Sequence, residues 1–150
     1  MAITQDTFSQ YAGIGYHGQQ NTDYPSWIGS YHAEGGPIGF GVAVSFGTAD
    51  GQAKAGGAAS SDLIGVTVRT QAVENNAAGE SEYAENQAMS VMEKGRMYVA
   101  VSDGATRGAQ VYVVPATGEI VSTATDNIAL TGARFLRTAA AGEITEIEIQ

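Results

Sequence analysis

In Phe40-Gly41-Val42-Ala43-Val44-Ser45-Phe46, the residues Phe40, Val42, Val44 and Phe46 fall on one face of an extended chain. That period of two predicts a half-buried strand. Asp50-Gly51 follows, a pair that tolerates the positive φ of a tight hairpin turn. Leu63–Thr70 is a second β-rich run, and residues 71–82 predict a polar loop. Met89–Glu93 and Arg96–Val101 flank Lys94-Gly95, which predicts another hairpin, while Glu80–Met92 leaves room for one helical turn. Gln110–Val114 predicts a strand stopped by Pro115, and Ile120–Ser122 and Arg134–Thr138 predict two more. Ile144–Ile149 sets Thr145, Ile147 and Ile149 against Ile144, Glu146 and Glu148. About eight or nine short strands result, with turn signals every ~8–12 residues, which predicts an all-β fold, a compact antiparallel β-sandwich or β-barrel. No helical pattern of ~10–15 residues separates the strands, which argues against a parallel α/β sheet.

The first quarter of the chain is different. Residues 1–36 hold Phe8, Tyr11, Tyr16, Tyr24, Trp27 and Tyr31, six of the twelve aromatic residues, among glycines, Gln and Asn. Neither a 3.6-residue nor a 2-residue period runs through them. Large rings on an irregular, glycine-rich backbone predict an extended N-terminal arm over 1–36, ahead of a β-domain over 37–150. Such an arm gains order by inserting its rings into another surface. The same pattern also suits a segment lying on its own domain. Phe8, Tyr11, Tyr16, Tyr24 and Trp27 are the candidate partner-binding anchors, because binding hot spots favour Trp and Tyr.

Composition narrows the partners. The chain carries 16 acidic and 7 basic residues, a formal charge of −9, and only 15% of its residues are charged. A nucleic-acid-binding domain carries a basic footprint, so nucleic acid is not expected as a partner. A sparsely charged surface suits contact with other protein. No apolar run approaches the ~18 residues of a membrane span, and no secretory signal is visible, so neither a membrane partner nor export is expected. The chain has no Cys. That removes a disulfide framework, a thiolate metal site and a cysteine nucleophile.

The chain carries few candidate chemical groups. His17 and His32 are the two histidines, and neither lies in a nucleophile or metal-ligand pattern. Gly13-Ile14-Gly15-Tyr16-His17-Gly18 matches a dinucleotide fingerprint by letter. It lacks the preceding strand and following helix that the binding needs, and Pro25 interrupts the segment after it. Glu80, Glu82 and Glu85, and Glu143, Glu146 and Glu148, suit a solvated acidic face. Arg69, Lys94, Arg96, Arg107, Arg134 and Arg137 sit singly or in pairs near strand ends. They suit local acids, or an acidic neighbour, better than a phosphate stripe. No catalytic, cofactor or metal residue is expected.

Read in order, the segments form a series. Leu63-Ile64-Gly65-Val66-Thr67-Val68-Arg69 is followed by Ser90-Val91-Met92-Glu93-Lys94-Gly95-Arg96-Met97-Tyr98-Val99. Then come Val111-Tyr112-Val113, Gly132-Ala133-Arg134-Phe135-Leu136 and the aliphatic Ile144–Ile149. Over about residues 28–150 this order resembles the structural cement, or capsid decoration, proteins of tailed bacteriophages. It departs from them before Phe40, where the family often has acids and Pro-Phe-Gly, and this chain has Ala33-Glu34-Gly35-Gly36-Pro37-Ile38-Gly39. The resemblance implies a non-enzymatic virion protein, made in the host cytoplasm and placed on the outer capsid surface. It implies the major capsid protein and sister subunits as partners, commonly as a homotrimer that bridges neighbouring capsid proteins. A carbohydrate-binding or host-adhesion β-module on the virion surface, using the same rings as sugar platforms, is the alternative.

Overall fold

The computed structural model describes residues 14–73, 75 and 77–150. Eleven strands follow one another: β1 (Trp27–Ala33), β2 (Ile38–Gly39), β3 (Ala43–Phe46), β4 (Gln52–Ala55), β5 (Leu63–Thr67), β6 (Glu82–Tyr83), β7 (Ala88–Ala100), β8 (Gln110–Val113), β9 (Ile120–Val121), β10 (Ile128–Phe135) and β11 (Ile144–Ile149). Among the described residues there is no α-helix, only a 3₁₀ turn at Ser60–Asp62. The all-β expectation holds. The helical turn allowed for Glu80–Met92 does not form, since that stretch holds β6 and the start of β7.

Nine strands make one sheet in the order β1-β4-β3-β5-β7-β11-β10-β8-β9, and β1 also pairs with β7. That extra pairing closes β1, β4, β3, β5 and β7 into a five-stranded barrel, from which β11, β10, β8 and β9 continue as an open wing. All pairings are antiparallel except β1 with β4, which run parallel through His32↔Gln52 and Ala33↔Ala53. β2 and β6 form a separate two-stranded ribbon. Asp50-Gly51 turns β3 into β4 as expected, with Gly51 at φ 78°.

The hairpin expected at Lys94-Gly95 is instead one continuous strand of 13 residues. Its first half lies between β1 and β5, through Ile28↔Met92 and Val66↔Met92. Its second half pairs with β11 from Gly95↔Ile149 to Ala100↔Ile144. Trp27 opposes Lys94 and Ile28 opposes Met92, so Glu93 is an extra residue, a β-bulge. Gly95 sits at φ 136° beside it. Glycine with positive φ serves a turn and a bulge equally well. The flanking segments pair with other strands and not with each other, so the chain runs straight on.

The bulge changes which residues face which core. Met89 and Val91 point into the barrel with Ala33, Ile38, Phe40, Val44, Ala53 and Tyr83. Met92 points into a second cluster, and past the bulge so do Met97 and Val99, of opposite parity, with Val111, Val113, Leu130, Phe135, Ile147 and Ile149. A single strand thus seals two cores. Thr145, Ile147 and Ile149 are buried as the alternation of β11 predicts. Phe46 departs from the one-face expectation. It is exposed, past a register shift where Ser45 pairs with Leu63.

Trp27–Ala33, placed in the arm by the sequence, is a barrel strand. It buries only Ala33, so no alternation of hydrophobic residues marks it. Residues 18–21 lie along the second half of β7. The Gly18 N–H donates to the Tyr98 carbonyl at 2.8 Å, the Tyr98 N–H to the Gln19 carbonyl at 2.8 Å, and the Asn21 N–H to the Arg96 carbonyl at 2.9 Å.

The bulge is a test of this packing. A Cβ on Gly95 meets the Ser26 Cβ at 2.7 Å, on top of the φ of 136°. Gly95→Ala is expected to cost about 3–4 kcal/mol in urea unfolding. Gly51→Ala, where an added Cβ meets nothing within 4 Å, is expected to cost only about 1 kcal/mol of left-handed backbone energy. Equal losses at the two sites contradict the tight bulge.

Candidate interaction surface

The segment beside β7 is held from its backbone, and this turns its rings outward. Gly18 is buried at φ 80°, where a Cβ meets the Phe40 Cβ at 2.7 Å. Its carbonyl accepts from the Arg69 N–H at 2.7 Å. His17 Nδ1 accepts from the Ala100 N–H at 2.8 Å, and Gln20 Nε2 donates to Ser26 Oγ at 2.6 Å. Asn21 Nδ2 donates to Glu146 Oε1 at 2.9 Å. With the backbone pinned on this side, Tyr16 is 70% exposed, Trp27 68% and Tyr24 42%.

Each of these three rings has a cation over it. Arg69 lies 5.6 Å from the Tyr16 centroid and 5.4 Å from that of buried Phe40. Lys94 lies 5.3 Å from the Trp27 centroid, and Arg96 lies 3.6 Å from that of Tyr24. The pairing follows from register, because Trp27 opposes Lys94 across the β1–β7 ladder. Such contacts contribute about 0.5–1 kcal/mol each at exposed sites. They also restrict the orientation of each ring. Three of the five candidate anchors are thus exposed, each with a cation over its ring. Phe8 and Tyr11 lie outside the described residues. Exposed Ile14 and Ile28 add apolar surface along the same segment.

Beside the rings lies a groove of about 740 Å³, lined by Asn21, Asp23, Tyr24, Arg96, Tyr98, Arg107, Arg134, Arg137 and Glu146. Three strands build its floor. Register sets Arg96 on β7 opposite Glu148 on β11, and Glu148 opposite Arg134 on β10. Arg134 donates to Glu148 Oε2 through Nε at 3.0 Å and Nη2 at 2.8 Å, and Arg96 Nη2 reaches Oε1 at 3.4 Å. The Arg134 hydrogen bond, aided by the charge of Arg96, holds the Glu148 carboxyl below its ordinary value. Glu146, 4% exposed, accepts from Arg137 Nε at 3.3 Å as well as from Asn21. Along the sequence these arginines sit singly or in pairs near strand ends. Their convergence depends on strand register, which composition and spacing do not reveal.

The other chemical candidates are scattered. His32 is exposed on β1. Gly15 to Gly18 lead into the extended segment beside β7 and not into a helix. Among the described residues no group of three or more His, Asp or Glu is placed to hold a metal ion, and no helix is long and apolar enough to cross a membrane.

A family model described as structural cement protein (E217 gp24/Pam3 gp6), from phages, matches residues 4–150. A chain of the solved structure "The capsid of Myoviridae Phage XM1" is similar over 100% of this chain and 98% of its own, with 18% identity and a TM-score of 0.73. At that identity the likeness is one of fold. A chain of "The crystal structure of head fiber gp8.5 N base in bacteriophage phi29" shares 8% identity over 84% of this chain and 95% of its own, with a TM-score of 0.45. No curated protein matches the chain.

His17 makes the anchoring of the ring-bearing segment sensitive to pH. Burial, reinforced by the charge of Arg69 and partly opposed by Glu119, lowers its pKa below the ordinary 6.5. The unfolded chain then binds more protons than the folded one just below pH 6.5, so stability rises with pH there. The contribution is present above about pH 6.5 and is lost as pH falls through the lower folded value. Thermal unfolding between neutral pH and about pH 5 is expected to show a fall in midpoint that His17→Gln flattens. An unchanged slope in His17→Gln contradicts this role.

Proposed function

Because the chain belongs to the phage family of structural cement proteins, we propose that it binds the outer face of the head, bridges adjacent major capsid proteins and so stabilises the shell. Family membership carries a structural role on the capsid surface of the virion. The bridging, the homotrimer and the contact residues go beyond family membership and form the proposal. The observation that carries it is the row of Tyr16, Tyr24 and Trp27, held outward on a pinned backbone with a cation over each ring.

The physics of a shell favours this arrangement. Many identical weak sites act together, since a second contact on the same shell forms at high effective concentration. At ~25 cal/mol per Å² of apolar area, an aromatic ring buried by the partner contributes a few kcal/mol before ordering costs. Rigid rings keep those costs low. A trimer multiplies the contacts without enlarging any one of them. The balance of −9 suits a position outside the shell, away from packaged nucleic acid.

Heads stripped of the protein give the test. Adding it back is expected to raise the temperature at which the heads release DNA. Trp27→Ala is expected to weaken binding to those heads by about tenfold or more, equivalent to ~1.4 kcal/mol. Full binding and full protection by a Tyr16, Tyr24 and Trp27 triple alanine variant overturn the assignment of these rings. Absence of any wild-type binding to the heads overturns the function.

A further inference from the structure

We infer that the arginine groove beside β7 seats a short carboxylate-bearing segment of the capsid shell protein. This rests on the capsid-binding reading and adds the chemistry of the partner.

The groove stands out against the rest of the chain. It gathers Arg96, Arg107, Arg134 and Arg137, four of the seven basic residues, on a molecule of charge −9. Asp23 and Glu146 are the acids that line it; Glu146 pairs with Arg137, and Glu148, outside the lining, pairs with Arg96 and Arg134. Arg107 makes no ion pair or side-chain hydrogen bond among the described residues; only its backbone N–H is engaged, by Thr138 Oγ1 at 3.2 Å. Arg96 Nε is buried without a partner. Arg134 and Arg137 are each 54% exposed, so their forks remain open to a second acceptor.

Guanidinium forks match carboxylates two bonds at a time, which rewards a planar acid over a diffuse charge. Two features favour a protein segment over nucleic acid. The groove floor holds carboxylates of its own, which repel a continuous polyanion but leave room for one or two acids at fixed spacing. The chain as a whole is strongly acidic, which repels a polyanion at longer range. The groove is also continuous with the ring row, because Tyr24 lines it and lies over Arg96. A capsid segment crossing this edge meets rings first and the arginine groove next.

The test measures binding to stripped heads across a salt series for the wild type, Arg107→Glu, Arg107→Lys and Trp27→Ala. Arg107 is exposed and without a side-chain partner, so its variants are expected to keep the wild-type thermal midpoint. Arg107→Glu is expected to lose about tenfold or more in affinity and to show a shallower salt dependence. Arg107→Lys keeps most of the binding, and Trp27→Ala weakens it without changing the salt slope. Wild-type affinity in Arg107→Glu overturns the inference while leaving the capsid-binding reading intact. So does an Arg107→Glu variant that loses only self-association, which makes the groove a contact between copies of this chain. Competition by duplex DNA that Arg107→Glu abolishes assigns the groove to nucleic acid and also overturns it. If the wild type ignores the heads, the function itself falls, and this inference with it.

Discussion

A strand has two edges, and β7, 13 residues long, has neighbours on both over most of its length. On one edge lie β1 and residues 18–21, and on the other lie β5 and then β11. Backbone hydrogen bonds that are buried must be paired, so each neighbour is held in one register. The bulge at Glu93, with Gly95 beside it, lets the two halves of the strand serve different cores. A slip of one residue in β7 turns Met97 and Val99 out of the second core. The ring row and the arginine groove depend on the same register, because Lys94, Arg96 and Tyr98 come from this strand.

Positive charge is scarce in this chain, and its placement is therefore informative. Six of the seven basic residues, all but Lys54, either lie over an exposed ring or line the groove. Arg96 does both. Such pairs add little to folding stability when exposed, since water and salt screen them. They do fix side chains in place. The sixteen acids of the sequence leave the chain strongly negative overall.

How far the fold can be read from the residues differs from element to element. β11 announces itself, because Ile147 and Ile149 are buried while Glu148 between them is only half-buried. β3 and β4 announce themselves through Asp50-Gly51 between them. β1 does not, since Ala33 alone is buried and its residues are ordered by pairing and not by burial. Lys94-Gly95 misleads because a local glycine signal is compatible with a turn or a bulge, and only distant partners choose between them. For the interaction surface, the aromatic residues are visible by type alone. Their exposure and their cation partners are not, because Arg69 is 53 positions from Tyr16 and Arg96 is 72 from Tyr24 in the chain.

By itself the sequence determined the class of the fold, the excess of acid, the lack of cysteine chemistry and the set of rings available for contact. These are local or compositional properties, which survive without knowing what pairs with what. The tertiary structure decided that β7 is one strand, that β1 closes a barrel, and that four arginines from β7, β10 and the connections beyond them meet in one groove. Those outcomes depend on register between segments far apart in the chain, and register is settled only when the cores pack.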